Sequence, residues 1–138
     1  MKVLVAYDGS VPAQKALEHA VEQYGDSELV LLRVIEIAGG ATGAGINLAQ
    51  ESLRKRRNEA TEKLSAEVTD LVSVDDLDLS METAVGQPAR EIVDFAEEHD
   101  VDHIVIGNHG RAGVSRVLLG SVAERVVRRA HIPVTVVR

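Results

Sequence analysis

Five short aliphatic runs punctuate the chain, and between them lie segments whose apolar residues recur at helical spacing. The first run is Lys2–Tyr7, and Ala16, Leu17, Ala20, Val21 and Tyr24 follow on one helical face within 13–24. The second, Glu28–Ile35, is apolar except for Arg33 and the leading Glu28, as a strand buried on both sides requires. In the third, Leu77, Leu79, Met81, Thr83 and Val85 alternate with polar residues, which predicts a strand nearer the sheet edge. Gly86-Gln87-Pro88-Ala89 then turns into a helix carrying Ile92, Val93 and Ala96 and ending near His99. His103–Ile106, a helix over about 122–130 and a last strand, Val134–Val137, complete the pattern. Alternation of this kind makes parallel strands joined by right-handed crossovers, with helices on both faces. The expected fold is α/β, a single domain over residues 1–138 with an open five-stranded parallel sheet.

Composition supports that frame and narrows the partners. Hydrophobic content is 45% but aromatic content only 2%, so the core must be built from Val, Leu, Ile and Ala. A net charge of −7 argues against a nucleic-acid partner. There is no cysteine, which removes disulfides, thiolate metal sites and cysteine nucleophiles. No stretch reaches the roughly 18 apolar residues of a membrane span, and the N-terminal run is too short for a signal peptide, so a cytoplasmic location is expected. Between the second and third strands lie the low-complexity stretch Gly39–Gly45, read as a mobile connection, and a long helix from Asn47 to about Val72. Its basic run Arg54-Lys55-Arg56-Arg57 reads as a solvated face.

The stretch richest in chemistry follows the fourth strand. The apolar run ends in Gly107, Gly110 comes three residues later, and Gly120-Ser121 stands just before the last helix. Glycines allow backbone N–H groups to approach an anion, and a helix N-terminus supplies unpaired N–H groups and a favourable dipole. A phosphate suits this arrangement; a plain strand-to-helix loop would need similar glycines. Ser121 also begins a Ser-x-x-Glu capping box with Glu124, which would shape the same helix end. In open parallel sheets ligands bind at the carboxyl ends of the strands, where the strand order reverses. Asp8 and Gly107 both end strands, and they would share one crevice if the first and fourth strands are neighbours.

These residues resemble the universal stress protein family over essentially the whole chain. Gly107-x2-Gly110-x9-Gly120-Ser121 matches the ATP-binding pattern of that family, and Lys2–Ser10, Val85–Ala89 and His131–Val137 look like it as well. The resemblance implies the strand order 3-2-1-4-5 and ATP, with Mg²⁺ bridging its phosphates, at the crevice. Carried over by position, Ala6 and Asp8 would lie beside the adenosine, with Asp8 at the ribose. Val34 would meet adenine through its backbone, while Ile106 and Gly107 line base and ribose. His109, Gly110, Gly120, Ser121 and Val122 would surround the triphosphate. Ala6 departs from the proline of the best-known ATP binders, at a contact that is only van der Waals. The resemblance also implies a homodimer paired through the last strand.

The expected function is therefore an ATP-binding, regulatory stress-response protein with an unidentified protein partner. Hydrolysis should be slow at best, because Asp8 is the only nearby carboxylate and it is committed to the ribose side. The alternative is an enzyme of the wider nucleotide-handling α/β group, such as a nucleotidyl transferase or ATP pyrophosphatase. Those enzymes need a Ser-Gly-Gly-x-Asp-Ser loop or a His-x-Gly-His motif, and neither occurs. Nor is there a Gly-x4-Gly-Lys-Ser/Thr loop or a Gly-x-Gly-x-x-Gly after the first strand. A phospho-receiver would need an aspartate ending the third strand and a lysine ending the fifth, where Val85-Gly86 and Val137-Arg138 stand.

Overall fold

The computed structural model describes residues 1–36, 77–108 and 120–138, together with Lys55, Glu59, Glu62, Ala66 and Val68. The stretch Gly39–Gly45, most of the long central segment and the connection 109–119 lie outside the described residues. The strands are β1 (Lys2–Ala6), β2 (Glu28–Ile35), β3 (Leu79–Val85), β4 (His103–Gly107) and β5 (Val134–Val137). They form one sheet in the order β3-β2-β1-β4-β5, and every neighbouring pair is parallel. The order reverses at β1, which pairs with β2 on one side and β4 on the other. That is the switch point at which such sheets hold ligands.

The period-two geometry of the strands sorts the core into two layers. Val3, Val5, Leu29, Leu31 and Val105 face α1 (Val11–Tyr24) and Val68, which belongs to the central segment. Leu4, Val30, Leu32, Ile104 and Ile106 face α2 (Pro88–Glu98) and α3 (Ser121–Arg129). Helices thus cover both faces, and the described part of the central segment is helical at Lys55, Glu59, Glu62, Ala66 and Val68. Lys55 is exposed, as expected of a solvated face. β3 is a sheet edge, and its alternation is real: Leu79 and Met81 pack on the α1 side, Thr83 is buried there, and Ala84 packs on the other.

α1 begins two residues before the helical spacing shows it. Ser10 is the N-cap, its hydroxyl accepting from the Ala13 N–H at 3.2 Å, and Pro12 occupies the first turn, where its missing N–H costs nothing. Asp8 does not cap the helix. Its Oδ1 accepts from the Ser10 N–H at 2.9 Å, closing a tight turn directly after β1. Gly86 has φ +150°, and a Cβ there would meet the Glu91 carboxylate, so the turn before α2 requires glycine.

His103 sits beneath the α1 layer near the β5 edge. Its Nε2 lies 2.6 Å from the Thr135 hydroxyl, and its ring lies against Tyr24. Burial, and then the neighbouring His19, hold its pKa below the ordinary imidazole value. The unfolded chain therefore binds a proton more readily than the folded one. This contribution to stability is complete above pH of about 6.5 and is lost as pH falls from there toward the depressed folded value. Urea melts at pH 7.5 and 5.5 should show a larger loss for the parent than for His103→Gln; equal losses would remove His103 as a source of acid sensitivity.

Candidate functional site

At the carboxyl ends of β1, β2 and β4 the two layers part around a cavity of about 240 Å³. Ala6, Asp8, Val34, Ile106, Gly107 and Val122 all line it, so the structure brings six of the ten expected site residues to one cleft. β1 brings Ala6 and, just beyond its end, Asp8. β2 brings Val34, β4 brings Ile106 and Gly107, and α3 brings Val122. Gly120 and Ser121 begin α3 beside Val122, and Ser121 lines a neighbouring chamber. His109 and Gly110 lie outside the described residues. The walls are mainly apolar, with Asp8 and Glu36 as the charged groups of the lining, so Asp8 is not the only carboxylate at the cleft as the sequence suggested: β2 carries Glu36 there just past its end.

The helix end at the cleft differs from the capping box read in the sequence. The N-cap is Gly120, with φ −61° and ψ 154°, and Ser121 is already helical. The cause is tertiary: Asn108, just past β4, accepts the Gly120 N–H on its Oδ1 at 2.8 Å and fixes the entry into the helix. Asn108 is itself held to the sheet, its N–H donating to the Val137 carbonyl at 2.8 Å. Ser121 therefore cannot reach back to cap, and Glu124 pairs with Arg128 at 2.8 Å instead. Among the described residues no side chain caps α3, and a helix start of this kind is where an anion is favoured.

Gly107 has a packing reason as well as a place in the cleft. A Cβ there would lie 2.5 Å from the Pro12 carbonyl carbon and 3.0 Å from the Ala13 nitrogen. The first turn of α1 thus rests directly on the end of β4, and Ala13 and Gly107 on the two sides of this contact both line the cleft.

Several lining residues have no mark in the sequence. Tyr7, Ala13, Leu32, Glu36, Pro88 and Ile92 complete the cleft. Leu32 and Glu36 were reachable by stepping in twos from Val34 along β2, since alternate residues share a face. Pro88 and Ile92 arrive only because α2 packs over that end of the sheet. Among the described residues, no group of three His, Asp or Glu side chains converges in a way that could hold a metal ion.

An open five-stranded parallel sheet in this order, with helices on both faces and a cleft at its switch point, defines a small domain of the Rossmann-like α/β class. Comparison with known proteins places it further. The universal stress protein family profile matches residues 1–138, and the chain belongs to that family. Universal stress protein MJ0531 of Methanocaldococcus jannaschii is 35% identical over 142 residues, covering 99% of this chain and 81% of that protein. MJ0577 of the same organism is 32% identical over 152 residues, covering 99% of this chain and 94% of that protein, and its solved structure superposes with a TM-score of 0.70. The UspA structure from Lactobacillus plantarum superposes with a TM-score of 0.80 at 29% identity, covering 100% of this chain and 97% of that one.

Proposed function

We propose that this universal stress protein binds ATP with Mg²⁺ in the β1–β4 cleft and acts by nucleotide-dependent regulation of a protein partner. The observation that carries the reading is the meeting of Ala6, Asp8, Val34, Ile106, Gly107 and Val122 around one apolar cavity. In this reading Val34 and Ile106 hold the base and Asp8 faces the ribose. The uncapped start of α3, at Gly120, Ser121 and Val122, meets the phosphates, with His109 and Gly110 contributing from the connection. The bound metal would neutralise charge on the phosphates. Asp8 already accepts the Ser10 N–H, which suits a positioning role better than that of a general base. Asp8 is therefore not the base of a fast hydrolysis, and Glu36, exposed at the rim, has no partner to activate it among the described residues, so hydrolysis is slow at best in this reading.

The protein acts as a cytoplasmic homodimer in this reading. β5 is a sheet edge, and its residues Val134–Val137 are all half-buried, an apolar rim of the kind that pairs with another chain. Protein purified without added nucleotide and then denatured should release an adenine nucleotide detectable by mass spectrometry. Calorimetric titration of the stripped protein with ATP and Mg²⁺ should saturate at one site per chain. Titration without heat or saturation at millimolar ATP would overturn the reading. Light scattering at tens of micromolar should give the mass of two chains; the mass of one would remove the pairing through β5.

A further inference from the structure

A second chamber opens beside the cleft, with a volume of about 400 Å³. The two share Glu36, Pro88 and Val122, so they are adjoining parts of one depression. Their chemistry differs. The cleft is mostly apolar, whereas the chamber is bounded by Ser121 and Arg125 of α3, by Gln87 at the start of α2 and by Glu36 after β2. The cleft, at about 240 Å³, falls below the roughly 300–1,000 Å³ of pockets that enclose a whole drug-sized ligand. On the nucleotide reading it has room for a base and sugar, and a chain of phosphates would extend beyond it.

Arg125 stands out among the arginines nearby. Arg128 pairs with Glu124, and Arg90 lies 3.8 Å from Asp94. Arg125 is exposed and forms no ion pair among the described residues. It is the fifth of the nine residues of α3, one turn beyond the helix start, and it lines the same chamber as Ser121 and Val122 of that start. An anion in the chamber answers both the guanidinium and the helix end. Glu36, also exposed, is the opposing charge in the same lining.

We propose that this chamber reads the charge of the bound nucleotide, with Arg125 as the residue that favours longer phosphate chains and Glu36 as the group that opposes them. The inference rests on the nucleotide reading of the cleft and adds its selectivity. Guanidinium–phosphate contacts are charge-assisted and can be bidentate. Both side chains are exposed, so their effect is screened by salt and is largest at low ionic strength.

The experiment is a calorimetric titration of the parent, Arg125→Gln and Glu36→Gln with adenosine, AMP, ADP and ATP, without metal at low salt, repeated at high salt. The parent should bind ATP more tightly than adenosine. Arg125→Gln should lose about tenfold in ATP affinity, the scale of one charged hydrogen bond, and leave adenosine unchanged. Glu36→Gln should gain about threefold for ATP without metal, as expected when an exposed like charge is removed. Arg125→Gln should also show a weaker dependence on salt. Both positions are exposed, so thermal melts should match the parent. Equal ATP affinity in the parent and Arg125→Gln, or an equal loss for adenosine and ATP, overturns the charge-reading role while leaving the cleft assignment intact. A parent that binds none of the four, and does not bind ATP when Mg²⁺ is added, overturns the nucleotide reading itself.

Discussion

Gly107→Ala is expected to destabilise the protein by about 2–3 kcal/mol and to weaken ligand binding at the same time, the upper part of the range for overpacking a closed core. The methyl group would meet the Pro12 carbonyl carbon at 2.5 Å and the Ala13 nitrogen at 3.0 Å. These are backbone atoms in the first turn of α1, and they cannot move aside as the tip of a long side chain can. α1 is tied there by the Ser10 cap and by the Gln14 N–H to the Ser10 carbonyl, so relief requires its whole N-terminal turn to lift. Tyr7, Asp8 and Ala13 line the cleft on that side and would move with it. Urea melts measure the first effect and titration with ATP and Mg²⁺ the second. A stability loss below about 0.5 kcal/mol, the ordinary scatter of surface substitutions, would show that strand and helix have room between them and that the glycine is not required for packing.

That prediction separates what the sequence carries from what only the folded chain reveals. The strands were legible because β1, β2 and β4 are buried on both faces and must be aliphatic along their length. The alternation in β3 was legible for the opposite reason, its position at the edge. The strand order was not legible in the pattern itself, since periodicity says which face is buried but not which strand lies next to it; it came from the family resemblance. The site divides in the same way. Asp8 and Gly107 could be placed because strand ends are marked by turn residues. Ser121 was assigned to the cap because local sequence favours Ser-x-x-Glu, yet the Asn108 side chain moves the helix start by one residue. No local pattern could show that contact, which spans 12 residues of chain. Pro88, Ile92 and Arg125 were invisible as site residues for a related reason: their own helices explain them fully, and only the packing of α2 beside α3 brings them to the depression.

Gly120→Val is expected to lower ATP affinity by a factor on the order of a hundred while leaving the protein folded. The backbone itself does not forbid valine, since φ −61° and ψ 154° are allowed to any residue. The position is buried, however, and it is the N-cap, where an apolar branched residue is less favourable than glycine by about 1 kcal/mol. Its N–H is given to Asn108, so a side chain inserted here strains the contact that sets the start of α3. A small shift there misdirects the N–H groups of Ser121, Val122 and Ala123 together. Each charge-assisted bond to phosphate contributes about 1.5–3 kcal/mol, so partial loss of all three reaches the expected factor. Stability should fall by only about 1–3 kcal/mol, from the poorer cap and local overpacking. Ser121→Ala gives the contrast. Ser121 is exposed and does not cap the helix, so its removal should change stability by less than about 0.5 kcal/mol and weaken binding only mildly, because the amides remain. Calorimetric titration and a urea melt of each variant decide the matter: a folded valine variant that binds ATP as tightly as the parent would mean that the phosphates do not lie at the start of α3.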